Sequence, residues 1–420
     1  MTYRISSLSA IEILDSRSRP TLAVTLAVDG ATQVTAGVPS GASTGTREAV
    51  ELRDGDKARY GGLGVTRAVG NVNGEIAAAV RGREFAGLGE LDRALIELDG
   101  TETKSRLGAN AIVGVSMAAA RALAQSAGVP LWRYLTPEGV APRLPVPHFN
   151  VVNGGAHAAN NLDFQEFMIA PLGAPTLTEA VRAGAEIYAK LRGLLAGAGH
   201  SVGLGDEGGF APQIDTPEDV LTLLVHAIED AGYRAGRDGV AIALDPAASE
   251  FHRAGFYQVA GEKLSSDEMI ERYALITDRF PVYSIEDGLA EDDWDGWTRL
   301  NARLGERVQL VGDDILVTNP AITTEAIAKN VANSALIKVN QIGTVTETLE
   351  TIRICREAGW TQMISHRSGE TPDDFIADLA VGTGCGQLKT GAPARGERVA
   401  KYNRLITIEA ANENLPYGLG

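Results

Sequence analysis

From about residue 240 onward, one charged residue after another closes a short apolar, β-branched run, at a spacing that only certain folds accept. GVAIAL ends in Asp245, PVYSI in Glu286 and Asp287, VQLVG in Asp313 and Asp314, and ALI in Lys338. TQMIS then runs into His366, Arg367 and Ser368, and GQL into Lys389. From 286 through 313, 338 and 366 to 389, the steps are 27, 25, 28 and 23 residues, each about one strand–helix unit. Repetition of this kind predicts a closed parallel barrel, with a doubly wound open sheet as the alternative. In a barrel all these positions fall at the C-terminal mouth, where catalytic groups collect. Random solvated charges have no reason to prefer the same end of every strand.

The stretches between the runs read as amphipathic helices with marked starts. Thr216 is followed by Pro217, Glu218 and Asp219, a cap with proline at the first helical position and early acids. Ser265 with Glu268 predicts a capping box. Residues 1 to about 135 read differently, as a separate α+β unit. There TLAVTLAVDG alternates like a strand and turns at Asp29-Gly30, and ANAIVGVSMAAARALAQSAG is a long apolar helix. TPEGVAPRLPVP, with four prolines, marks the boundary. The expected division is therefore 1–135 and 145–420.

Composition narrows the function classes. At 44% hydrophobic and 22% charged, the 420 residues can bury sizeable cores. A net charge of −16 argues against nucleic acid and anionic membranes as partners. No run reaches the length of a membrane span, and MTYRISSLSA lacks signal-peptide features. Two cysteines, Cys355 and Cys385, leave no disulfide framework or cysteine zinc site. A cytoplasmic protein is the expectation. HExxH and Walker A patterns are missing.

Lys338 shows how context changes a reading. A lone lysine within SALIKVNQIG is an edge residue pointing to solvent. Beside Asp245, Glu286 and Asp313, an oxygen-only set suited to Mg²⁺, it becomes a candidate general base. Any one of those acids alone could equally cap a helix or pair with an arginine. Burial, a neighbouring lysine such as Lys389 and a divalent ion would all disfavour the charged form of Lys338, as base chemistry requires. Such a pair suits proton abstraction next to a carboxylate. Glu207, among the glycines of GLGDEGGFAP, is a candidate acid, kept protonated to serve a leaving hydroxyl. His157 lies in the similar loop NGGAHAANN. Arg367 with Ser368 offers a fork of donors and a hydroxyl for phosphate, and SGASTG could fold over a ligand as a lid.

In order along the chain, ILDSR, VPSGASTG, ELRDGD, LGANAI, NGGAH, QEFMIAP, GDEGGFAP, LDPAASEF, SIEDGLAEDDW, VGDDILVTNP, IKVNQIGT, SHRSGET and KTGAPAR resemble the enolase (phosphopyruvate hydratase) family. The resemblance covers nearly the whole chain. It implies an N-terminal α+β domain and an enolase-type (β/α)8 barrel whose first units depart from regular order. It also implies dehydration of 2-phosphoglycerate to phosphoenolpyruvate with two Mg²⁺ ions, and a homodimer or an octamer of dimers. By position, Lys338 would be the base and Glu207 the acid, with Glu166 and His157 in the same half of the site. Asp245, Glu286 and Asp313 would hold one Mg²⁺, and Ser43 the other. Gln165, His366, Arg367, Ser368 and Lys389 would contact the small phosphorylated carboxylate. An enolase-like specialist of phosphonate metabolism, such as a carboxyphosphonoenolpyruvate synthase, is the second expectation. The chain departs from the usual family text at Ser18-Arg19 (Gly-Asn), Leu63 (Lys), Ala159 (Asp) and Gly396 (Ser).

Overall fold

The computed structural model describes residues 2–42 and 44–419. Near its start, the strand Tyr3–Leu14 pairs antiparallel with Pro20–Val28. Val34–Gly37 and Glu84–Phe85 complete a four-stranded sheet. Helix Ala109–Ser126 packs on Pro20–Val28 and Val34–Gly37. A Cβ on Gly114 of that helix would stand 2.6 Å from Val24 and 2.9 Å from Val38, so glycine there permits close helix–sheet packing. The predicted turn at Asp29-Gly30 is present, with Gly30 at φ +79°. The predicted in–out alternation is not: Pro20–Val28 is buried at every position but Thr25. Its inner position in the sheet and the helix laid on it account for much of this.

The remainder is built on a closed eight-stranded barrel, which excludes the open-sheet alternative. Around the ring run Val282–Glu286, Gln309–Gly312, Ser334–Ile337, Thr361–Ser365, Gln387–Lys389, Val146–Asn153, Glu166–Ala170 and Ala241–Asp245. Pairing is parallel except that Glu166–Ala170 runs antiparallel to both neighbours. Its first residue, Glu166, therefore stands beside Asn153 and Asp245, the last residues of theirs. Reversal of one strand thus brings a strand start to the mouth. The expected helix starts are also present: the Thr216 side chain accepts from Asp219 N, and Ser265 with Glu268 forms the capping box.

Strand periodicity decides where the charged ends point. Ala335 and Ile337 join the main core, whereas Leu336 packs with Val311 and Met363 in a separate apolar cluster. Side chains two apart on a strand share a face. Lys338 therefore follows Leu336, and Asp313 follows Val311, one step above that cluster.

Candidate active site

Five of the expected charged residues stand at strand ends of the barrel, and the structure shows how their charges are balanced. Nζ of Lys389 lies 2.7 Å from Glu286 Oε1, 3.1 Å from Asp245 Oδ2 and 3.3 Å from Glu166 Oε1. Nζ of Lys338 donates to Asp313 Oδ2 at 2.5 Å. All six residues are buried. Because ions are costly to bury unpaired, each ammonium is matched by carboxylate in a low-dielectric setting.

This balance reverses the expected state of Lys338. Burial, the largest single influence, lowers its pKa as anticipated, but the acids around it, Asp313 foremost with Glu286 among them, carry the net shift upward. The same contact draws Asp313 down against its own burial. Lys338 is thus an ammonium while Asp313 is its partner. A base role requires the Asp313 charge to be engaged by another cation.

Glu207 also differs from its expected state. Its Oε2 accepts from Asn150 Nδ2 at 2.9 Å and lies 3.1 Å from His366 Nε2. Arg398 Nη1 sits 2.6 Å from His366 Nδ1. A guanidinium only donates, so Nδ1 accepts and the imidazole proton is on Nε2, facing Glu207. Burial pulls His366 down to about 4. Burial would raise Glu207, but His366, His157 and Arg398 outweigh it and hold the carboxyl well below its usual range. Glu166 is pushed well above the range by burial and then by the Glu207 charge. In this arrangement the proton of the pair belongs to Glu166. His157 Nδ1 lies 3.7 Å from both Glu166 and Glu207.

Gln165 and Ser368 border the same mouth as His157, Glu166, Glu207, Asp245, Lys338, His366, Arg367 and Lys389. The Ser368 hydroxyl accepts from Arg17 Nη1 at 3.1 Å. Arg367 makes a two-pronged pair with Glu48, each nitrogen–oxygen distance 3.0 Å, and Nη1 also donates to Asn340 Oδ1. It lines a second cavity of about 270 Å³ with Gly41, Thr44, Gly45 and Glu48. Ser43 lies outside the described residues.

The donor set fits a hard divalent cation. Asp245, Glu286 and Asp313 offer only carboxylate oxygens, and Glu286 Oε2 is buried without a hydrogen-bond partner among the described residues. Single oxygens of Asp287, Asp313 and Asp314 also lie within 4.8 Å of one another, an all-oxygen grouping that shares Asp313 with the expected set. Asp287 uses its two oxygens to accept from the backbone N–H groups of Asp313 and Asp314, fixing that strand end. A second grouping at that distance is His157, Glu166 and Glu207.

Sequence reasoning did not single out Glu48, Asn150, Gln341 or Arg398. Asn150 sits inside a barrel strand that carried no strand-end charge as a signal. Arg398 comes from the first turn of the last long helix, outside the strand-end pattern. The departures leave this set in place. Ser18 adopts φ +59°, the left-handed region, Ala159 and Leu63 are exposed, and a Cβ on Gly396 would meet nothing within 4 Å.

A closed barrel with buried acids and ammonium groups at its C-terminal mouth is the architecture of a barrel enzyme. Residues 5–135 match the family model described as the enolase N-terminal domain, and 141–417 the enolase C-terminal TIM barrel domain. Among relatives, an "Enolase" of Rubrobacter xylanophilus is 58% identical over 400 residues, covering 95% of this chain and 93% of that protein. "Enolase 1" of Methylococcus capsulatus is 55% identical over 414 residues, covering 98% of each. The chain belongs to the enolase family, and is a carbon–oxygen lyase.

Proposed function

We propose that the protein interconverts 2-phosphoglycerate and phosphoenolpyruvate, with Mg²⁺ as cofactor. The observation that carries this reading is the pairing of Lys338 with Asp313 and of Lys389 with Asp245 and Glu286 at one barrel mouth, in a chain of this family. Identity of 55–58% with enolases over nearly the full length favours it over a phosphonate specialist.

Asp245, Glu286 and Asp313 are the residues proposed to hold one Mg²⁺, with Ser43 contributing to a second. Bound there, the metal takes up carboxylate charge and stabilises the negative charge that develops on the substrate carboxylate. Lys338, released from Asp313, removes the proton at C2. Lys389 faces the substrate carboxylate. Glu207 protonates the departing C3 hydroxyl after receiving a proton within the Glu166–Glu207 pair, whose two carboxyls do not both ionise. His366, locked by Arg398, and His157 orient that half. Arg367 and Ser368 hold the phosphate, which competes with Glu48 for the guanidinium, and Gln165 contacts the substrate. Divisions at 1–135 and 145–420, a homodimer or octamer of dimers, a glycolytic role and cytoplasmic residence belong to the same proposal. Among the described residues no helix is long and apolar enough to cross a membrane.

The test is direct. Purified protein with Mg²⁺ and 2-phosphoglycerate should generate phosphoenolpyruvate absorbance at about 1–10³ turnovers per second. Chelation should stop the reaction and added Mg²⁺ restore it. A folded, Mg²⁺-binding protein without turnover would contradict the reading.

A further inference from the structure

Behind the mouth, a one-way chain of hydrogen bonds joins the backbone of Lys338 to two carboxylates. Lys338 N–H donates to Thr318 Oγ1 at 2.9 Å. A backbone N–H can only donate, so Thr318 Oγ1 accepts, and its own proton goes to Gln341 Oε1 at 2.7 Å. With its oxygen committed, Gln341 turns its amide nitrogen the other way. Nε2 donates to Asp313 Oδ1 at 2.8 Å and reaches Glu48 Oε1 at 3.3 Å. Asp313 Oδ2 closes the circuit on Lys338 Nζ. Thr318 and Gln341 are fully buried, so no solvent competes for these groups.

The backbone is strained to build this chain. Val317 and Thr318 both stand in the left-handed region, at φ +45° and +54°, where β-branched residues are rarely found. Thr351 Oγ1 donates to Thr318 O at 2.7 Å and holds that conformation. Strain kept beside a reaction centre by surrounding bonds points to use.

We infer that Gln341, oriented by the Thr318 hydroxyl, is a positioning residue that aims one oxygen of Asp313 and ties it to Glu48, the counter-ion of Arg367. The inference rests on the proposed reading of the site but assigns these two side chains a role of their own. An amide of fixed orientation leaves Asp313 a single rotamer. It also links Asp313 to Glu48, which lines the same cavity as Arg367.

The experiment compares Gln341→Leu, Thr318→Val and Thr318→Ser in the full chain. Mg²⁺ binding is measured by calorimetry without substrate, beside kcat and KM for 2-phosphoglycerate and the melting temperature. Loss of such an outer partner of a ligand weakens metal binding about 10–100-fold. Gln341→Leu and Thr318→Val should both show that loss together with a lower kcat. Thr318→Ser keeps the hydroxyl and should bind Mg²⁺ within about twofold of the parent, a smaller change than any lost outer-shell bond. Should Gln341→Leu fail to fold, the two Thr318 variants decide. Parental Mg²⁺ affinity in Thr318→Val, or equal losses in the valine and serine variants, overturns the inference. The binding arm uses no substrate, so it stands even if 2-phosphoglycerate is not turned over.

Discussion

Lys338 Nζ and Asp313 Oδ2 stand 2.5 Å apart, so the candidate base and a candidate metal ligand neutralise one another. Asp313→Asn removes a ligand and leaves the buried ammonium of Lys338 without its partner. Calorimetry should show Mg²⁺ affinity reduced by at least about tenfold, with activity reduced in step. Unchanged affinity would remove Asp313 from the ligand set.

Ser18 occupies φ +59° in the turn between the first two strands, its N–H donating to Asp15 O. A side chain there costs roughly 1–2 kcal/mol, partly offset by the greater freedom glycine has in the unfolded chain. Ser18→Gly should therefore raise stability in urea by about 1 kcal/mol. A loss of stability would show that the Ser18 side chain has a compensating contact.

Asp92 is fully buried, and Thr346 donates to its Oδ2 from both N–H and hydroxyl. Burial pushes its carboxyl up to about 6. The folded state thus retains a proton that the unfolded state releases near pH 4, and this group costs stability as pH rises from about 4 to about 6. Asp92→Asn has no such cost. The variant's advantage over the parent should grow across that window by about 3 kcal/mol and stay level above it. Urea titrations at several pH values check this; an advantage independent of pH would contradict it.

Arg398 donates to His366 Nδ1 and to the carbonyls of Arg367 and Ser368. Lysine cannot span this fan of acceptors. Arg398→Lys should lower kcat about 10–100-fold, as loss of a supporting partner does, and the imidazole tautomer, read by nitrogen NMR, should become mixed. An unaltered tautomer with full activity would contradict the positioning.

Much of this was legible in the chain itself. Strand ends carrying Asp245, Glu286, Asp313, Lys338 and Lys389 marked the barrel mouth, because a parallel barrel puts every such end on one side. Charge states were less legible. Lys338 and Glu207 depart from their expected protonation because Asp313, His366 and Arg398 come from distant segments, and contact distance decides which cause wins. Glu166 reaches the mouth through the reversed strand, which no local pattern announces. Gln341 and Thr318 are ordinary polar residues until their hydrogen bonds are traced.

The central claim is that Lys338 takes the proton at C2 of 2-phosphoglycerate while Glu207 serves the leaving hydroxyl. Exchange of the C2 hydrogen in deuterated buffer with Mg²⁺ separates the two steps. The parent protein and Glu207→Gln should both exchange it, the latter with phosphoenolpyruvate formation slowed about 10²–10⁴-fold. Lys338→Ala should exchange none. Exchange by Lys338→Ala at the parental rate would contradict the account.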